Sequence, residues 1–502
     1  MGRKKLAGFS PRGRPRFTNR ISVDMLNAMR TIGSSLGRPD RSVMAATLVL
    51  RGVVVLIVAV LLAPSRAWAV GEAITDVRIL GNQRTEEDTV RSIAGVKIGD
   101  TLELDTLERA RERLNTAGLF ADVNVWWEQN AEGVRVNIAV KDKFPWAPVP
   151  TASWSSNNRS IGLVFVDGNL FGRGKQLVVG GRLADVDSGA VLAYRDPALF
   201  GGWGYWQLQG NVQKQVIPEY ENNLEAPSGP VQETRLTSYG FETVFGIAWL
   251  RRLKTQISWG MQKVNVEGSD IPATDTTMQL PAPVVTTKGA TLGVGKASLS
   301  FDFRAREFAV MTGTSLGVAF DLASPSYGSD LEYWRATAYF ERGVKFFRSH
   351  NFIYSAYAAA GHNLPFWNEL TVGGPNLRGY LYQQFRGDTQ ISGKAEYHFP
   401  LFSVGTADFR ALFFYDVAAL WFRDLPPQDP LQDNYRVRTT TPDQRAFLPG
   451  QEAGFSPGRD IHNDVGAGLR FFLRSVAIPL IGFDAGYGIE ARTWRFMLVV
   501  GA

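Results

Sequence analysis

Phe352-Ile353-Tyr354-Ser355-Ala356-Tyr357-Ala358-Ala359-Ala360-Gly361 and Thr389-Gln390-Ile391-Ser392-Gly393-Lys394-Ala395-Glu396-Tyr397-His398-Phe399 decide how the chain is read. In both, larger apolar side chains alternate with small or polar ones at a period of two, which suits a strand. Each is about ten residues long, enough for a tilted strand to cross a membrane. Between them lies a connection of 27 residues, 362–388, far longer than a hairpin requires. It carries Gly373-Gly374-Pro375-Asn376-Leu377-Arg378-Gly379-Tyr380 and then Phe385-Arg386-Gly387-Asp388. Large side chains among permissive glycines suit a loop folded back into a cavity. Composition alone favours a solvated surface loop with ordinary turn glycines.

Outward from this pair, the same alternation recurs to the end of the chain. Sixteen segments are predicted, near 150–155, 159–166, 175–184, 188–195, 204–213, 235–246, 253–262, 296–305, 314–323, 332–343, 350–361, 389–399, 407–417, 463–473, 476–486 and 492–501. In the last, Trp494, Phe496, Leu498 and Val500 share one face and Arg495 and Met497 the other. The connections after the fifth, seventh, eleventh and thirteenth segments are long (214–234, 263–295, 362–388 and 418–462), while those after even-numbered segments are short. A soluble sandwich or propeller could alternate in this way, but it has little reason to segregate loop lengths. Long loops on one rim and short turns on the other are the mark of a membrane barrel. Residues 146–502 therefore read as a 16-stranded antiparallel transmembrane β-barrel in an outer membrane, with its short turns and the preceding domain in the periplasm.

Composition agrees. Charged residues are only 20%, with 51 Gly, 13 Trp, 15 Tyr and 31 Phe. The absence of cysteine excludes disulfides, thiol catalysis and Cys-ligated metal. The net charge of +6 is a property of the leader, because residues 1–69 hold twelve Lys and Arg against two Asp and the remainder is net acidic. No nucleic-acid binding is read from it. Gly52–Ala63 is an apolar run after Arg51, followed by Pro64 and by Ala67-Trp68-Ala69, small residues at the positions a signal peptidase reads. Twelve helical residues rise about 18 Å, short of a membrane core of roughly 30 Å. Residues 1–69 thus read as a basic leader and signal peptide, with Met44 as a candidate true start. Gly33-Ser34-Ser35-Leu36-Gly37 within it matches a nucleophile elbow without the strand and helix that motif needs.

Residues 72–142 read as one small β-α-α-β-β domain. Ile74, Val77 and Ile79 mark a strand, Thr85 a helix N-cap, and Leu104, Leu107, Ala110 and Leu114 a second helix ending at Gly118. Val123 and Val125, then Val134, Val136, Ile138 and Val140, mark two further strands. This order resembles a POTRA domain, a type that binds extended peptides by strand addition. A plain α+β spacer accounts for the same pattern.

Three segments together resemble the BamA/TamA family of outer-membrane β-barrel assembly proteins, the surface-antigen POTRA-barrel superfamily. They are Gly168-Asn169-Leu170-Phe171-Gly172-Arg173-Gly174 leading to Asp196-Pro197-Ala198-Leu199-Phe200-Gly201, then Leu377-Arg378-Gly379-Tyr380, then Phe414-Tyr415-Asp416. Ala418 stands where the family's F-x-D-x-G wall motif has glycine. The resemblance implies a contact in the lumen between Arg378 and Asp416, with Gly379 and Tyr380 completing the loop anchor. It also implies insertion and assembly of β-barrel proteins in the outer membrane. The partners would be unfolded outer-membrane protein clients, outer-membrane lipids and periplasmic or lipoprotein accessory factors. The alternatives are a polypeptide translocation pore and a TamA-like assembly or secretion helper; a diffusion porin would not need residues 72–142.

Proline cannot donate to a ladder, so Pro145, Pro148 and Pro150 should weaken the pairing of the first strand with the last, where Trp494 and Phe496 lie. Such a seam could open laterally, or the prolines could only stiffen the linker. The four histidines (350, 362, 398, 462) lack metal-ligand spacing, Arg386-Gly387-Asp388 is a chance tripeptide, and no phosphate-binding glycine loop is present. The protein is read as a non-enzyme with no cofactor, metal or nucleic-acid partner.

Overall fold

The computed structural model describes residues 71–103, 105–199, 204–220, 229–230, 232–250, 252–270, 289–423, 454–473 and 479–501. The leader, Met44 and the apolar run before Pro64 lie outside them.

The N-terminal domain runs β1 (Ile74–Leu80), α1 (Glu87–Ala94), α2 (Thr106–Thr116), β2 (Phe120–Asn130) and β3 (Gly133–Asp142). Its sheet has the order β1-β3-β2, with β1 parallel and β2 antiparallel to the central β3. The alternation Val134, Val136, Ile138, Val140 turns one face of β3 onto Val90 and Ala94 of α1 and Ala110 and Leu114 of α2. The cap of α1 differs from expectation: Glu86, not Thr85, holds the N-cap position. The Thr85 hydroxyl is engaged elsewhere, donating to Asp142 Oδ1 at 2.6 Å.

The rest of the chain closes into an antiparallel barrel. Its strands are β4 (Trp146–Trp154), β5 (Arg159–Leu170), β6 (Lys175–Ala184), β7 (Asp187–Leu199), β8 (Gly204–Glu219), β9 (Gln232–Leu250), β10 (Leu253–Asp270), β11 (Ala290–Asp302), β13 (Val310–Ala323), β14 (Tyr333–Phe346), β15 (His350–His362), β18 (Thr389–Val404), β19 (Ala407–Trp421), β20 (Ile461–Leu473), β21 (Pro479–Gly488) and β22 (Thr493–Val500). These sixteen form the wall, and the three-residue β12 (Ala305–Glu307) only extends the turn into β13. β16 (Leu370–Val372) and β17 (Phe385–Gly387) pair with each other, inside the long connection. A short helix, α3 (Pro457–Asp460), precedes β20.

Several strands outrun the sequence reading. β9 and β10 reach 19 and 18 residues, so the connections expected at 214–234 and 263–295 shrink to 220–231 and 271–289. A hairpin rising past the bilayer keeps its ladder while its outer face turns polar, as at Glu233 and Arg235. Apolar alternation therefore stops short of the strand's end. The segregation of loop lengths persists, with short turns on the rim nearest the N-terminal domain and longer loops on the other.

Outward phases carry exposed large apolar side chains, among them Ile161, Leu183, Phe245, Phe413, Leu469 and Phe496. An apolar belt of this extent needs lipid rather than water around it.

Candidate functional site

The 363–388 loop folds into the barrel and builds a core there. Leu364, Phe366, Leu370, Val372, Leu377, Tyr380 and Phe385 are buried against wall residues such as Leu236, Leu292, Ala359 and Leu420. Burying a side chain of this size contributes about 1.5–3 kcal/mol. Apolar packing, and not polar ties alone, therefore holds the loop. Arg386-Gly387-Asp388 is part of this fold: Arg386 bonds Glu369 at 3.0 Å and the Phe366 carbonyl, while the Asp388 carboxylate accepts from Arg423 N at 3.1 Å.

At the loop's tip, Arg378 meets the wall. Its Nε and Nη2 donate to Asp416 Oδ2 and Oδ1 at 2.8 and 2.9 Å, a bidentate fork on a fully buried carboxylate. Nη1 reaches Glu396 on β18 at 2.7 Å and lies 3.6 Å from Asp484 on β21. The Phe414 ring lies under the guanidinium, 3.5 Å from ring centre to carbon. That ring is the aromatic of the wall motif, so both motif side chains serve the same arginine. Outside this first ring of partners, His398 bonds Glu396 at 2.8 Å and Arg470 forks onto Asp484 at 2.7 and 2.9 Å.

The neighbouring loop residues are held as closely. Gly379 N donates to Asp464 Oδ2 at 2.7 Å, and a side chain at Gly379 would overlap the backbone of Gly488. The Tyr380 ring packs edge-on to Phe385 and His462, which stack on each other at 3.6 Å. Its hydroxyl donates to Glu490 in the turn between β21 and β22. Burial, followed by the Glu490 carboxylate, pushes the Tyr380 phenol above its ordinary 10 and keeps it a donor. Burial works to raise Glu490, but hydrogen bonds from Asn463 and Tyr380 hold it below its usual 4.5.

Sequence reading missed Glu396, Asp464, Asp484 and Glu490. The first three sit at lumen-facing phases of their strands, so alternation marks them as inward. Only the register, which sets Asp464 directly across the ladder from Asp416, brings them to one point.

Among the described residues, the seam between first and last strands has three residue pairs, Ala152–Val500, Ser153–Val499 and Trp154–Leu498, against thirteen between β14 and β15. The structure does not bring the four expected seam residues together. Pro148 and Pro150 lie inside β4 opposite Phe165 and Leu163 of β5, near the short-turn rim. Trp494 and Phe496 point outward near the other rim, paired only with Tyr487 and Ala485 of β21. The ladder ends at Gly501, whose backbone is left-handed (φ 71°), and at Ser155, where β4 turns away.

The first short turn touches the N-terminal domain. Glu86 N donates to Gly172 O at 2.9 Å, Asn169 Nδ2 donates to Thr85 Oγ1 at 2.8 Å, and Arg173 pairs with Glu86 at 3.3 Å. Gly172 is left-handed (φ 73°), and a side chain there would overlap the Arg84 carbonyl.

The Omp85 superfamily domain matches residues 169–491, and the POTRA family, described as a surface antigen variable number repeat, matches residues 73–143. No curated protein sequence matches the chain. Among solved structures, BamA from Haemophilus ducreyi lacking POTRA domains 1–3 is similar at 14% identity and TM-score 0.59, over 85% of this chain and 84% of that one. CdiB from Acinetobacter baumannii is similar at 11% identity and TM-score 0.57, over 86% and 74%. CdiB from Escherichia coli is similar at 12% identity and TM-score 0.50, over 88% and 92%. At these identities the structures establish the fold, while the family match covers most of the barrel. This chain belongs to the Omp85 superfamily.

Proposed function

We propose that this protein inserts and folds β-barrel proteins in the outer membrane, with its POTRA domain in the periplasm. The observation that carries the reading is the three-pair seam, the weakest junction between consecutive wall strands. Parting it exposes an unpaired edge on β4 and another on β22, and an unpaired edge is a template for an incoming strand. The POTRA sheet offers a second such edge, because β2 pairs only with β3 among the described residues. A client would be captured there by strand addition and passed to the seam. No step in this sequence requires a nucleotide, a metal or a catalytic side chain.

Arg378, Gly379, Tyr380 and Asp416 anchor the loop in this reading, so that the lumen stays filled while the seam works. A filled lumen argues against a steady diffusion pore. A translocation pore for one secreted polypeptide is the second reading, and it requires the 363–388 loop to leave the lumen during each passage.

Two experiments test the proposal. A disulfide joining Ala152→Cys and Val500→Cys should abolish client insertion and be reversed by reductant; full activity with the bond closed would refute the seam's role. Depletion from cells should lower many outer-membrane proteins together. Loss of a single secreted client would establish the pore instead.

A further inference from the structure

The loop that fills the lumen also touches both flanks of the seam. On one flank, the Tyr380 hydroxyl donates to Glu490 in the turn that feeds β22, and Glu490 accepts from Asn463 N and Nδ2 at 2.8 and 2.7 Å. The loop backbone lies directly on β21 there, since a side chain at Gly486 would come within 2.8 Å of the Arg378 carbonyl carbon. On the other flank, two residues along the loop, Tyr382 N donates to Asn157 Oδ1 at 2.8 Å. Asn157 Nδ2 donates to Tyr382 O at 3.2 Å and to Tyr220 Oη at 2.8 Å. Asn157 sits in the turn that leads out of β4.

These two grips stand at the long-loop rim, where the seam ladder is missing. β22 has no β4 partner over Thr493–Met497, because β4 ends at Trp154. One short piece of loop backbone thus spans the gap. Asn157 offers Tyr382 both a donor and an acceptor, the pairing that a neighbouring strand would supply.

We infer that the loop clasps the seam: Asn157 and Glu490 are positioning residues that hold β4 and β22 together through Tyr382 and Tyr380. The clasp is in series, so releasing either grip opens it. Letting go of one grip and opening of the seam then become one event, while the Arg378 fork and the apolar core still hold the loop in the lumen. Only the link to client insertion rests on the proposed function; the clasp itself does not.

The test uses the full chain in lipid nanodiscs and reads amide hydrogen exchange at 152–154 and 498–500. Asn157→Ala and Tyr380→Phe should each speed exchange there about tenfold, the scale of one or two lost hydrogen bonds. Exchange in the β14–β15 ladder should not change. Because the clasp is in series, the double variant should exchange no faster than either single one, unlike two independent contacts, which add. Unchanged exchange at the seam, equal acceleration in β14–β15, or additive effects would each overturn the inference. If Asn157→Ala does not fold, Asn157→Asp keeps the acceptor for Tyr382 N and loses the donor, and carries the same test. Client insertion is measured in parallel. A loosened seam with unchanged insertion would refute the functional reading and leave the clasp standing.

Discussion

Asn169, at the end of β5 beside the barrel's first short turn, donates to the Thr85 hydroxyl of the POTRA domain at 2.8 Å, and both residues are buried. Asn169 Oδ1 accepts from Gly174 N at 2.7 Å, while Thr85 donates onward to Asp142 Oδ1 at 2.6 Å. A continuous line of hydrogen bonds therefore runs from the end of β3 into the turn between β5 and β6. Asn169→Ala leaves Gly174 N and Thr85 Oγ1 buried without these partners, at a cost of about 1–3 kcal/mol. The expected outcome is faster proteolysis in the linker near Lys143–Pro145 with an intact barrel, read on a gel as retained heat modifiability. An unchanged cleavage rate would mean that the remaining contacts suffice.

Gly172→Ala tests the same junction through shape. The added methyl would collide with the Arg84 carbonyl, and its backbone angle is one that alanine resists. It should loosen the linker at least as much as Asn169→Ala. If it does not, the Gly172–Arg84 approach is dispensable.

Arg378 is the sole cation within ion-pair distance of Asp416 among the described residues, and it also serves Glu396 and Asp484. Arg378→Ala would therefore leave the fully buried Asp416 without its ion-pair partner, and breaking a buried pair costs about 3–5 kcal/mol. The loop should leave the lumen, seen as larger single-channel conductance in planar bilayers. Asp416→Asn keeps an acceptor for the fork and should be milder. An exchange of charges, Arg378→Asp with Asp416→Arg, should rescue little, because Asp at 378 would meet Glu396 and Asp484. The wider network alters what a simple two-residue pairing would predict.

How far the sequence reached is clearest at this site. Period-two alternation was enough for sixteen strands, and loop lengths were enough for the two rims. Arg378 and Asp416 were legible because they stand in recognisable motifs. Glu490 and Asn157 were not, since each lies in a short turn whose partner is hundreds of residues away or across a ladder whose register no local pattern encodes. The apolar core of the loop was also hidden. Leu364, Leu370, Val372 and Leu377 share no single period beyond the three-residue β16, because an irregular plug is packed by shape rather than by repeat.

Leu377→Ala tests that core. Leu377 is completely buried within the cluster that joins the loop to the wall. A cavity of this kind costs about 2–5 kcal/mol, and here the loss falls on loop docking rather than on the strand ladders. Conductance should fluctuate between closed and open levels, with the barrel's thermal unfolding shifted little. A steady closed level would show that the Arg378 network alone retains the loop.

Asp464 is the last and most discriminating position. It receives the Gly379 amide at 2.7 Å and stands opposite Asp416 across the β19–β20 ladder, so two buried carboxylates share one edge of Arg378's surroundings. Two carboxylates directly opposite in a ladder cannot both ionise without destabilising it. Asp464→Asn keeps an oxygen for the Gly379 amide and removes the competing acid, so the loop should dock at least as tightly as in the unaltered protein. Asp464→Ala removes the acid and the acceptor together, leaving a buried amide unpaired at about 1–3 kcal/mol. Conductance and loop proteolysis should therefore rank Asp464→Asn as closed and Asp464→Ala as leaky. Equal behaviour of the two variants would show that charge, and not the Gly379 hydrogen bond, is what this aspartate contributes.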